Sequence, residues 1–254
     1  MNIAEPYSYE DKVVAFVDIL GFRNKTKDSQ SIAKKSVHTA LKEIHDYVNS
    51  PKTTEKFGSE DNQHYVFSDS SLFSCPLDNT HHLIPLLAEL QFRSAKNGFF
   101  MRGGVTYNKI FDENNFFYGE GLNKAYELES TTASYPRIIF DAAFPFDEID
   151  TTGLKRDFDG CYYIDFLRYQ QNSESSEDLY TAENYNKIRN FIIDEIHQNK
   201  NKTYILAKYF WLAKYFNKSV NTNKITVTNI DITKLINKII NKNSRPVLAH
   251  RTAV

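Results

Sequence analysis

The chain is short of several things. Two cysteines, Cys75 and Cys161, stand far apart in 254 residues and outside any C-x-x-C pair. Neither a disulfide framework nor a zinc knuckle can be built from them, so a reducing, cytoplasmic setting is expected. No run of about 18 apolar residues occurs, so no membrane-spanning helix is expected. The opening residues MNIAEPYSYEDK lack a basic stretch followed by an apolar one, so no secretory signal is expected there. Excess charge of one sign is missing too: 31 Lys and Arg face 32 Asp and Glu. No global field draws in nucleic acid or anionic lipid, and neither is expected as a partner. What is present, 41% hydrophobic and 25% charged residues, suffices for a buried core and excludes wholesale disorder.

Periodicity then gives the elements. Residues 12–20, KVVAFVDIL, form a β-branched apolar run that reads as a buried central strand, broken by Gly21. From Ser31 to Val48 the apolar positions Ala33, Val37, Ala40, Leu41, Ile44 and Val48 recur at helical spacing. Residues 50–63 are polar, with Pro51 and Gly58, and read as a loop. HYVFSDSSLFSC reads as a hairpin with Asp69 at its turn. A helix follows from about His82 to Lys96, stopped by Asn97-Gly98. Phe99 to Ile110 reads as a strand, where Gly103-Gly104 suggest a bulge or a close backbone approach. Gly119 to Ser130 reads as a helix and PRIIF, 136–140, as another buried strand. The expected fold is therefore α+β, and the first six elements, β-α-β-β-α-β, make the ferredoxin-like split unit. Beyond it come a strand in DGCYYIDFL, helices at 183–198 and 203–217, and a polar stretch from 218 read as weakly ordered or docked. The expected division is a catalytic core over 10–168 and a helical extension with polar tail over 169–254.

Two aspartates stand where the pairing order can bring them together: Asp18 at the end of the first strand and Asp69 in the hairpin. Hard Mg²⁺ or Mn²⁺ takes one or two carboxylates together with substrate phosphates. The Leu20-Gly21-Phe22 turn, with free backbone N–H groups, suits a triphosphate. On spacing alone, a strand-end Asp that caps a turn is the commoner role.

The motifs are more specific, because together they resemble the class III nucleotidyl cyclases. Phe16-Val17-Asp18-Ile19-Leu20-Gly21-Phe22 matches that family's first strand, and Ser68-Asp69 its second acid. Arg102-Gly103-Gly104-Val105 matches its R-x-G-[IV] strand, and Gly119 to Ala125 its G-x-x-x-N-x-A helix opening. The phrases FVDILGF, FSDS, MRGGV, YGEGLNKAYELES and YPRII are similar to the bacterial anti-phage pyrimidine cyclases of the Pycsar type. The resemblance implies the class III catalytic domain, with Asp18, Asp69 and the carbonyl of Ile19 holding two divalent ions. It implies Leu20, Gly21 and Phe22 around the leaving pyrophosphate, and Asn123 orienting the ribose. It also implies a homodimer with shared sites, a UTP substrate in preference to CTP, and a downstream effector such as a membrane protein or TIR-type NADase.

Three positions depart from purine cyclases. Tyr65 and Phe116 stand at the two base-reading positions, and Glu127 stands four residues after Asn123, where a transition-state arginine is usual. Arg102 is the candidate replacement cation, with Arg137 second, but Arg102 also reads as a strand-surface ion-pair partner of one of the acids. Tyr65 fits a packed strand aromatic as well as a base reader, and Phe116, Phe117 and Tyr118 fit a core or dimer interface. Glu127 and Glu129 are expected to be solvated or paired with lysines such as Lys124. His81-His82 read as cap or surface residues, and helix 203–217 as packed on the domain. Two other functions compete: a cyclase-like dimer that senses a nucleotide without turnover, and a ferredoxin-like RNA binder. Near-neutral charge and the lack of an RNP-like motif speak against the second.

Overall fold

The computed structural model describes residues 8–23, 31–57, 62–113, 116–169, 179–222 and 225–243. Its frame is a mixed eight-stranded sheet. Strand β1 (Glu10–Ile19) runs between β3 (Ser70–Cys75) and β4 (Met101–Glu113), and β2 (Gln63–Phe67) flanks β3. All three pairings are antiparallel, which gives the β-α-β-β-α-β unit its ferredoxin-like order. The sheet continues through β6 (Ile138–Phe140), parallel to β4, then β8 (Tyr162–Ile164) and β7 (Leu154–Arg156). A short β5 (Phe116–Tyr118) folds back on β4.

Alternation along β1 separates two cores. Val13, Ala15, Val17 and Ile19 enter the large one. It is filled by α1 (Ser31–Val48) with Ala40, Ile44 and Val48, and by α3 (Thr80–Lys96) with Leu83, Leu87 and Leu90. It also takes in the extension: α5 (Ala182–Gln198) adds Tyr185, Ile188 and Ile192, and α6 (Thr203–Thr222) adds Leu212 and Phe216. Each buried Val, Leu, Ile or Phe among them contributes about 1.5–3 kcal/mol. Val14 and Phe16 point the other way, into a small cluster with Leu72, Ile110 and Ala125. The helix there is α4 (Glu120–Glu127), followed by one π turn, Leu128–Thr132, which the Ala133 N–H closes on the Leu128 carbonyl at 2.7 Å.

The expected elements hold in outline, with differences after Ser50, at the start of α3 and beyond 217. The polar stretch after Ser50 contains a helix, α2 (Pro51–Phe57). Ser50 is its N-cap, its Oγ accepting from the Thr53 N–H at 3.3 Å, and Pro51 takes the first helical position, where no N–H is needed. Helix α6 continues past 217 to Thr222. The stretch after it is docked: Asn217 holds the Ile230 N–H and carbonyl at 2.7 and 2.9 Å, and Arg189 donates to the Thr228 carbonyl at 2.7 Å. A last helix, α7 (Ile232–Asn243), buries Leu235. His81 and His82 lie inside α3 rather than ahead of it.

Candidate active site

The second sheet face carries the chemistry at one end. Asp18 lies opposite both Ser70 and Arg102 in the strand register. Ser70 Oγ donates to Asp18 Oδ1 at 3.1 Å. Asp69 sits in the Ser68-Asp69 turn between β2 and β3, where Ser68 takes a left-handed φ of 58°. The Asp69 carbonyl accepts the Ile19 N–H at 3.1 Å, which stitches the turn to the end of β1 and sets the two acids side by side. Burial pushes the Asp18 carboxyl above its ordinary value and the Asp69 charge adds to it, while Ser70 and Arg102 oppose both.

Arg102 is taken by a partner the sequence did not predict. Its Nε lies 2.6 Å from Glu129 Oε1, yet neither atom makes an aligned hydrogen bond. Glu129 is therefore not solvated; it is 3% exposed, in the π turn above the sheet. Burial pushes its carboxyl up, Arg102 holds it down, and Asp18 and Asp69 push it up again. Gly104 makes the approach possible: a Cβ there would stand 2.4 Å from Leu128 Cβ and 2.5 Å from the Ala125 carbonyl. The glycine pair was the available signal, since it announced a close approach without naming what approaches.

The other predicted residues are placed as follows. Ile19 buries its side chain in the large core, so only its backbone can serve the acid pair. Leu20 gives its N–H to the Phe100 carbonyl at 2.8 Å and cannot offer it to a phosphate while that bond stands. Gly21 has φ +73° with open space around it, so the turn needs glycine for conformation rather than room. Phe22 is half-buried against the large core. Asn123 is on the exposed side of α4. Glu127 is solvated as expected and pairs with Lys124 at 3.1 Å.

Arg137, the second candidate cation, is fully buried and held by Asp157 and Asp159 among Tyr135, Tyr163 and Trp211. It is a structural staple and is committed away from the acid pair. Tyr65 donates its hydroxyl to Asp112 Oδ1 at 3.2 Å, with its ring 5.6 Å from Phe117. Burial and the Asp112 charge push that hydroxyl up to about 12. Ser74 Oγ also donates to Asp112, and the Lys12 ammonium lies 3.8 Å from it. Phe116 is 69% exposed. A cleft of about 560 Å³ between α1 and α3, lined by residues such as His38, Lys42, Glu89 and Arg93, holds none of these side chains.

Among the described residues, no three His, Cys, Asp or Glu side chains gather into a metal cluster, and no helix is long and apolar enough to cross a membrane. Two carboxylates pressed together in a half-buried place still fit a hard divalent ion, which needs few protein ligands when substrate phosphates supply the rest.

No protein-family model matches the chain, and no curated protein does. Among solved structures, it is similar to two of a bacterial light-regulated adenylyl cyclase, at 13% and 14% identity with TM-scores of 0.41 and 0.42. The overlap covers 55% of this chain and 45% of each of those chains, so it spans less than half their length.

Proposed function

We propose that this chain is a nucleotidyl cyclase that converts UTP to 3′,5′-cyclic UMP and pyrophosphate, the product serving as an alarm signal in bacterial defence against phage. The observation that carries the reading is the meeting of Asp18 and Asp69 at one sheet end with Arg102 directly across. Asp18, Asp69 and the Ile19 carbonyl would hold two Mg²⁺ or Mn²⁺ ions. Bound there, such ions would supply activation of the ribose 3′-oxygen and charge neutralisation at the α-phosphate. Arg102 would take the phosphate oxygens in a charge-assisted fork. Positioning and electrostatics carry most of this kind of reaction.

Tyr65 supports the choice of uracil. Its proton is directed to Asp112, so its oxygen is left to accept. Uracil presents an N–H at the ring position where cytosine presents a lone pair. The homodimer is supported by the exposure of Asn123 and of Phe67, Phe116, Tyr118 and Tyr126, at 50, 69, 38 and 54%. Aromatic surface of that extent is a mark of an interface. In a C₂ pair, Asn123 of one copy would serve the acids of the other.

Glu127 favours a second reading, a nucleotide sensor without turnover, because a carboxylate cannot neutralise a pentavalent phosphorane. Incubation with ATP, GTP, CTP and UTP separately, with Mn²⁺ and product analysis, decides between them. Cyclic UMP from UTP alone is the expected result. Cyclic CMP would move the specificity, and no product from any of the four would leave the sensor.

A further inference from the structure

The sheet face that carries Asp18 holds another carboxylate, Asp112, ten residues beyond Arg102 on β4. Its side chain is 2% exposed. Three neighbouring strands each send it a proton donor. Tyr65 of β2 gives its hydroxyl to Oδ1 at 3.2 Å, and Ser74 of β3 gives its own to Oδ2. From β1 the Lys12 ammonium stands 3.8 Å from Oδ2. These donors offset the cost of burying the charge.

The chemistry of the group then fixes the direction of both hydroxyl bonds. A carboxylate has lone pairs only, so the Tyr65 and Ser74 hydroxyls must donate to it. A phenol has one proton, and that of Tyr65 is spent on Asp112. The Tyr65 ring packs against Phe117 with centroids 5.6 Å apart, which limits its freedom to turn away. Among the described residues nothing donates to the Tyr65 oxygen, so its lone pairs are open to a ligand. An oxygen held in this way accepts and cannot donate. It pairs with a protonated ring nitrogen and meets a ring lone pair with repulsion. Sites built around one such bond discriminate strongly, because the wrong partner leaves a polar group unpaired.

We propose that Asp112 is a positioning residue that selects the base: by holding the Tyr65 proton it makes Tyr65 an acceptor, which admits a pyrimidine with a ring N–H and rejects one with a ring lone pair. This rests on the cyclase reading of the site and on Tyr65 facing the base. Ser74 and Lys12 keep Asp112 in place and touch no substrate. Asp112→Asn keeps the shape and reverses the polarity, since an amide N–H₂ turned to Tyr65 frees the phenol proton to point outward.

The test uses the full chain as wild type, Asp112→Asn, Tyr65→Phe and the double variant, with melting curves to show that each is folded. Preference is read twice. One readout is the ratio of kcat/KM for UTP and CTP with Mn²⁺. The other is the ratio of Kd for 3′-deoxy-UTP and 3′-deoxy-CTP, which lack the attacking hydroxyl and cannot cyclise. Asp112→Asn should cut the preference for uracil about tenfold or more, chiefly through better use of cytosine. Tyr65→Phe should lose the preference too, and the double variant should match Tyr65→Phe, because Asp112 acts through that hydroxyl. A wild type that prefers CTP, an unchanged ratio in Asp112→Asn, or a further shift when it is added to Tyr65→Phe overturns the assignment and leaves a cyclase that forms product standing. If Asp112→Asn does not fold, Tyr65→Phe decides alone, and a retained preference overturns the proposal. Binding ratios that move as expected without product from any nucleotide support Asp112 and overturn the cyclase reading. Wild type that binds neither analogue and forms no product overturns both.

Discussion

The two faces of the sheet are built from the same strands and carry opposite kinds of residue. On the helix-covered face, β1 sends in Val13, Ala15, Val17 and Ile19, and α1, α3, α5 and α6 close over them. On the other face the same strand presents Lys12, Val14, Phe16 and Asp18. Ser70, Ser74, Arg102 and Asp112 stand around them, with only a thin apolar cluster between. A period of two is enough to separate stability from chemistry within one ten-residue strand. Slipping β1 by one residue would exchange the two roles at once, so the apolar face also fixes where Asp18 points.

Mutations on each face sharpen or break this comparison. Phe92→Ala removes a fully buried ring that packs on Tyr180 and Tyr185 at 4.3 and 5.1 Å. It should cost about 3–5 kcal/mol in urea unfolding and leave the turnover of the folded fraction unchanged. Asp18→Asn should do the reverse. It keeps the Ser70 contact and removes a carboxylate disfavoured by burial and by Asp69, so the melting temperature should hold or rise slightly. Turnover should fall about 100-fold or more. A clear loss of melting temperature in that variant would mean the acid pair is structural and the two faces are not distinct.

Gly104→Ala lies between the two cases. Its new methyl would meet Leu128 Cβ and the Ala125 carbonyl, lifting the π turn and with it Glu129. Stability should drop by about 1–3 kcal/mol and turnover should fall with it. Glu129→Gln should have the smallest effect. Releasing Arg102 from a charged partner should tighten nucleotide binding a few-fold, at a cost of about 1 kcal/mol in melting experiments.

What could be read beforehand was what depends on local pattern. The apolar run 12–20, the S-D turn and the helix before Asn97-Gly98 are specified by their own residues, and so is the order of the first strands. The missed features are set elsewhere. Ser50-Pro51 has the chemistry of a helix start, but the same dipeptide punctuates loops, and α2 holds because Thr53 bonds the Tyr47 carbonyl and Phe57 is buried. Glu129 looked like a surface residue because its partner is 27 positions away and Gly104 alone permits their meeting. Arg137 looked like a free cation because its two acids come from the β7–β8 turn. The stretch after 222 scatters its apolar residues among Asn, Lys and Thr, and its docking is set from elsewhere: Asn217 and Arg189 hold its backbone, and Ile230 and Leu235 are buried.

The large core draws on residues from Val13 to Leu235, and α6 closes it late in the chain. On the ribosome, β1 emerges well before α6 and must wait for it. At about 5–20 residues per second, the interval is some tens of seconds. Asp165 and Leu167 acquire the Tyr215 hydroxyl, at 2.7 and 3.0 Å, only at that point. A chain stalled before α6 therefore has its acid pair without a finished core behind it. Synthesis through α6 sets the earliest moment at which the large core can close.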